Sequence, residues 1–349
     1  MSKKAIILGI NGMDAKTLAS ILLKKNYDVI GTYRRNTINL ESEVSRYIVG
    51  DNISYSYCDI NDFNSVKFLI KNNPDVDEIY CLAAQSHVGL SFESPNISGM
   101  NGMSVYNVLE NVKSINDKIK VYFAATSELF GGNEPPPSGY NENSEFDCRS
   151  PYSIGKEMGT RWVKYYRQLG LFCCYGLLFN HSNEFRGLDF FIRRVTNSAA
   201  RISIGKDKKL KLGNLDFYRD EHFSDFGCEM MYKMLQNKNP KDYVIATGET
   251  HSGEEYLFYA FDHFNLKWQD YVEIDKSRFR PNEVKKLVGD SKLAQLELGW
   301  RPNRMKFSNH ISIMCDWDFQ VESGLNPTIR HDVLATTDEG NQTFFNFYD

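Results

Sequence analysis

What the 349-residue sequence lacks narrows its class before any motif is read. It has no apolar run approaching the roughly 20 residues that a membrane-crossing helix needs. The apolar part of its opening, MSKKAIILG, is too short for a secretory signal, so a cytoplasmic protein with no membrane partner is expected. The seven cysteines are scattered, with no C-x-x-C pair and only Cys173 and Cys174 adjacent, which signals neither a metal site nor a disulfide framework. Positive charge is not in excess either. The 41 Lys and Arg against 45 Asp and Glu leave a formal charge of −4, too little basic field to hold a nucleic-acid backbone.

What is present is alternation. KKAIILG, YDVIGTY, ISYSYC, DEIYCLAA and IKVYFAAT read as strands, while DAKTLASILLKKN, SVKFLIKNN and MSVYNVLENVKS carry helical spacing. Strands separated by helices of this length run parallel, which predicts an α/β fold built on a doubly wound parallel sheet. After about residue 180 the alternation loosens into polar and aromatic segments such as GNLDFYRDEHFSDF. We place a dinucleotide-binding domain at residues 1–180, completed by segments near 215–250. A smaller, mainly substrate-binding portion follows at 181–325, then a tail at 326–349.

The first strand leads into Gly9-Ile10-Asn11-Gly12-Met13-Asp14-Ala15, which opens the first helix. Glycines there allow a tight turn, and the helix N-terminus favours a pyrophosphate. The spacing is G-x-x-G-x-x-A, so the third small residue is Ala15. The second strand ends in Tyr33-Arg34-Arg35, where an NAD-selective protein often carries an acid. Arginine suits a phosphate instead, so NADP is the expected cofactor, with solvated surface arginines as the bland alternative. Asp59 ends the third strand and either reaches an adenine amino group or caps the following helix; the sequence leaves both open.

Two further segments carry chemistry. SPYSIGKEMG puts Tyr152 and Lys156 on one face at the start of a helix, and an adjacent ammonium is expected to lower the phenol pKa toward use as a base. FAATSELFGG ends a strand on Thr126, Ser127 and Glu128. Taken alone, Glu128 is as readily a helix-starting acid as a reactive one. If the segment is extended, Ser127 faces away from its neighbours.

These pieces, with LAAQSHVGLSFESP, LLFNHSNEFRG, RPNEV and GDSKLAQLELGWRP, occur in the order found in extended short-chain dehydrogenases/reductases, and the chain resembles the GDP-mannose 4,6-dehydratase family from about residue 4 to about residue 320. The resemblance implies a Rossmann sheet, NADP, a sugar nucleotide such as GDP-mannose, and a homo-oligomer, dimer or tetramer. It implies C4 oxidation, loss of water across C5 and C6, and hydride return to C6. Tyr152 would deprotonate the C4 hydroxyl, Lys156 would orient the nicotinamide ribose, Thr126 would bond the C4 oxygen, and Glu128 would move the C5 proton and the C6 hydroxyl. The cofactor shell would comprise Gly9, Asn11, Gly12, Met13, Asp14, Asp59, Ile60, Leu82, Ala83, Ala84, Gln85, Ser86, Tyr152, Lys156, His181 and Arg186. Ser86, His87, Ser127, Asn180, Arg194, Asn214, Arg219, Arg280 and Glu283 fall in segments that would meet the sugar nucleotide.

The family's RDWGHAKD-like segment appears here as RDEHFSDF, Phe130 stands where tyrosine is usual, and the stretch after Arg35 looks shortened. Two other readings therefore stand beside the leading one. The same opening oxidation serves an epimerase, a decarboxylase or a GDP-heptose dehydratase, and a dinucleotide-binding protein can keep the fold without the chemistry.

Overall fold

The computed structural model describes residues 2–34, 48 and 50–327, so Arg35 and nearly all of the expected tail lie outside the described residues. Short apolar runs form β1 (Lys4–Leu8), β2 (Asp28–Tyr33), β3 (Ile53–Tyr57), β4 (Glu78–Cys81), β5 (Lys120–Ala124) and β6 (Cys173–Leu178). The chain then leaves this sheet through β7 (Asn180–Ser182), β8 (Leu210–Leu212) and β9 (Tyr218–Phe223), and returns to it as β10 (Tyr243–Ile245). The result is a seven-stranded parallel sheet in the order β10-β6-β5-β4-β1-β2-β3.

The inner strands are largely apolar on both faces because helices cover both, while edge strand β3 is partly exposed. On one face Ile6, Leu8, Ile79, Val121 and Phe123 pack with Val66, Leu69, Val105, Val108 and Val163 of helices Phe63–Lys71, Pro95–Ile115 and Pro151–Gln168. On the other, Ala5, Ile7, Tyr80, Tyr122 and Ala124 meet Leu18, Leu22, Met230 and Met234 of helices Met13–Lys24 and Ser224–Gln236. The chain winds outward in both directions from β1 and β4, and the loops at their carboxyl ends diverge into a crevice.

A smaller layer stands over that crevice. In it β9 pairs with β7, with β11 (Thr250–Ser252) and, near its start, with β13 (Lys286–Leu287), while β8 pairs with β12 (Val272–Ile274). Its core joins Ile192, Val195, Leu257, Phe261, Ile311 and Met314. Asp220 ties the layers together. Fully buried on β9, it accepts from the Thr247 N–H and hydroxyl at 2.7 Å, the Gly248 N–H at 2.8 Å and the Gly289 N–H at 3.1 Å.

Candidate active site

The dinucleotide turn is built for backbone contact. Gly9 has φ +91°, and a Cβ there would lie 2.9 Å from Ala83, so glycine is required both by conformation and by the approach of β4's loop. The Gly12 N–H donates to the Gly9 carbonyl, and helix Met13–Lys24 starts with no side-chain cap on its first amides. Uncapped donors at a helix N-terminus, beside the point where the winding reverses, fit the pyrophosphate of a dinucleotide.

Helix Pro95–Ile115 holds two of the loops that face this turn. Asn101 accepts from the Gln85 N–H at 3.2 Å and donates to its carbonyl at 3.0 Å, and the Ser98 hydroxyl donates to the Gln85 side chain at 2.9 Å. Asn107 donates to the Ile60 carbonyl at 3.0 Å. Leu82, Ala83, Ala84 and Gln85 are thereby fixed along one rim, with Ser86 exposed at its end. Asp59 accepts from the Asn61 N–H at 3.0 Å, and Asp62, not Asp59, caps the next helix. The asparagines were not singled out from the sequence. Their signal was there in a poor helix former recurring on a helical face that also carries the apolar core residues.

The reactive segment begins where β5 ends. Thr126 is the N-cap of a single 3₁₀ turn, Ser127–Phe130, and its Oγ1 accepts from the Glu128 N–H at 3.3 Å. Ser127 is therefore wound into a turn and buried rather than extended, which corrects the sequence expectation. Opposite, Ser150 and Ser153 form a reciprocal cap and Pro151 fills the first position, so helix Pro151–Gln168 starts one residue before Tyr152. A Cβ on Gly155 would sit 2.2 Å from the Ser98 carbonyl. Only glycine lets the two helices come this close.

Tyr152 and Lys156 are both buried. The Thr126 hydroxyl favours the ionised phenol, and Glu128, Arg186 and Asp14 also bear on its charge. Lys156 Nζ donates to the Ala124 carbonyl at 2.7 Å and lies 5.9 Å from the Tyr152 ring centre. Burial pushes the phenol up to about 12, against the opposing pull of the Thr126 hydroxyl and Arg186. The expectation that Lys156 would lower it is not met in this arrangement, because desolvation outweighs any charge nearby. Burial likewise draws the Lys156 ammonium down to about 8.

On the substrate side, the structure gathers three of the expected residues. Glu283 bridges Arg219 at 3.1 Å and Arg280 at 3.5 Å, and Arg219 is otherwise buried over Phe217. Arg194 donates to the Lys211 carbonyl at 2.7 Å, while Asn214 is used within its own turn. His87 caps its helix by accepting the Leu90 N–H at 3.0 Å, and its ring packs 5.3 Å from Phe190. Phe190 in turn carries the Arg186 guanidinium at 3.7 Å. His181, at the middle of β7 with Asn180 before it, contacts Asp14. Arg34 lies exposed past the end of β2. No cluster of metal-ligating side chains occurs among the described residues.

The family model described as GDP-mannose 4,6 dehydratase matches residues 6–314. GDP-mannose 4,6 dehydratase 2 of Arabidopsis thaliana is 40% identical over 335 residues, covering 91% of this chain and 87% of the relative. The human GDP-mannose 4,6 dehydratase is 35% identical over 347 residues, 91% of each chain. Among solved structures, a dTDP-glucose 4,6-dehydratase of Bacillus anthracis in complex with NAD superposes with a TM-score of 0.79 at 18% identity, covering 93% of this chain and 99% of that one. A UDP-glucose 4-epimerase of Thermotoga maritima with UDP-glucose gives 0.78 at 16%, covering 92% and 99%. At such identities these structures bear on the fold alone.

Proposed function

This chain belongs to the GDP-mannose 4,6-dehydratase family, and on that premise we propose that it is a hydro-lyase converting GDP-mannose to GDP-4-keto-6-deoxymannose. The observation that carries the reading is the meeting of Thr126, Glu128 and Tyr152 at one crevice, with the dinucleotide turn on its floor. Oxidation at C4 needs only a base such as Tyr152. Elimination needs a carboxyl group that removes the C5 proton and protonates the departing C6 hydroxyl, because a ketone at C4 makes the C5 hydrogen acidic. Glu128, held by the turn that Thr126 caps, is suited to both proton transfers. Thr126 has its oxygen taken by the Glu128 N–H, which leaves its own proton to support the phenol or a C4 oxygen.

The cofactor is a nicotinamide dinucleotide, which when bound supplies the hydride acceptor and donor. We read it as NADP, from Arg34 at the end of β2. Gly9, Gly12 and Met13 would hold its pyrophosphate, and Lys156 its nicotinamide ribose. Arg219 and Arg280 are suited to the diphosphate of the sugar nucleotide. A homo-oligomer is supported by the packed helices Pro95–Ile115 and Pro151–Gln168, which expose Ile97, Met100 and Met103 at three-residue spacing and Ile154 and Tyr165 beside them. No helix among the described residues is long and apolar enough to cross a membrane, in keeping with the cytoplasmic location we propose.

The test is to incubate purified protein and NADP with GDP-, CDP- and UDP-sugars and to weigh the products. A GDP-mannose product lighter by one water is expected. Turnover of another nucleotide sugar alone, or no loss of water from any, would overturn the assignment.

A further inference from the structure

Three histidines, His181, His222 and His310, are grouped behind the dinucleotide turn, and their partners differ. His222 is buried on β9, in register with His181 on β7, and the rings stack at 5.2 Å. Neither nitrogen of His222 has a hydrogen-bond partner, and burial pushes its basicity well below the usual value, so it is neutral. His310 Nε2 faces the Ser182 carbonyl. His181 faces an acceptor at each nitrogen. Nδ1 lies 2.8 Å from the Phe179 carbonyl and Nε2 lies 3.0 Å from Asp14 Oδ2. A carbonyl needs an N–H, an ionised carboxylate needs an N–H, and a neutral imidazole has only one.

We infer that His181 is held as an imidazolium and that its ion pair with Asp14 tethers the substrate half to the dinucleotide turn, so that cofactor affinity depends on this proton. The inference rests on the dinucleotide reading above. Asp14 sits in the first turn of helix Met13–Lys24, and its second oxygen accepts from the Ser224 hydroxyl at 2.7 Å. With His181 charged, the Asp14 carboxylate is neutralised. Once His181 loses a proton, Asp14 loses its paired cation and keeps only Arg186 as a counter-charge, so at the helix end suited to a pyrophosphate it repels that group more strongly. The groups facing His181 are Asp14 from the first helix, Arg186 from the loop after β7, and His222 and Glu221 from β9. Asp14 and the Phe179 carbonyl favour the charged ring, while burial and Arg186 oppose it. The balance is a raised His181 pKa and an Asp14 pKa lowered to about 2.

The experiment measures the Kd for NADP of the full-length protein, by quenching of its own fluorescence, from about pH 7 to about pH 10 at fixed ionic strength. The unsubstituted protein is expected to lose about ten-fold in affinity as His181 deprotonates. His181→Gln should bind weakly at every pH with no such decline, and Asp14→Asn should show no alkaline decline because no anion is uncovered. Near-ultraviolet circular dichroism reports whether each variant is folded. A decline that persists in both variants belongs to Lys156 and overturns the inference, as does a flat Kd in the unsubstituted protein. Absence of binding at every pH would instead overturn the dinucleotide reading, and this inference with it.

Discussion

The Thr126 hydroxyl favours ionisation of the Tyr152 phenol, whereas Lys156, one turn further along the same helix, donates its hydrogen bond to the Ala124 carbonyl. The acidity of the phenol therefore depends on a residue from the end of β5 as much as on its own helix. Thr126→Val should raise the Tyr152 pKa, because the lost hydroxyl favours the phenolate. The pH at which turnover reaches half its plateau should then move up by about one unit, with turnover at neutral pH falling about ten-fold. Thr126→Ser, which keeps the hydroxyl, should restore most of both. An unshifted profile for the valine variant would remove Thr126 from control of the base.

Tyr152→Phe should bind NADP with little change and lose about 10²- to 10⁴-fold in turnover, the range that a positioned acid–base group supplies. Equilibrium titration with NADP and product formation from GDP-mannose measure the two separately. Turnover within about two-fold of the unsubstituted enzyme would exclude the phenol as base.

Glu128→Gln separates the two halves of the proposed reaction. Oxidation at C4 requires no carboxyl group, so the variant should form reduced cofactor, seen by its absorbance, without releasing a product lighter by one water. Normal dehydration by this variant would assign the elimination to another group.

Asp220 should matter to stability rather than to chemistry. Asp220→Ala leaves the Thr247, Gly248 and Gly289 N–H groups without their buried acceptor, and should lower the unfolding free energy by about 3 kcal/mol in denaturant titration. Asp220→Asn keeps an acceptor and should cost less. Equal losses for the two would mean that the hydrogen bonds are not what the carboxylate contributes.

The sheet was legible because its signals are local. KKAIILG, YDVIGTY and IKVYFAAT are continuous apolar runs, as strands buried on both faces must be, and SPYS carries a cap and a proline that start a helix by themselves. The crevice was legible only as a set of candidate letters. Asp14 and His181 are 167 positions apart, and no spacing rule joins them. Nor could the sequence show that Lys156 bonds the Ala124 carbonyl, since that depends on how closely two helices pack around Gly155. The turn at Ser127 was missed because β5 runs into it without a glycine or proline to mark the change.

With Arg219 and Arg280 assigned to the diphosphate as proposed, the Glu283 bridge between them would turn anion binding at that end of the crevice into an exchange. An incoming phosphate does not meet two bare guanidinium groups; it competes with a carboxylate already paired to both. Added salt weakens the resident pair along with the new one. Affinity should therefore decline with ionic strength less steeply than two unopposed arginines would require, and the ligand is chosen by how far it outperforms a glutamate.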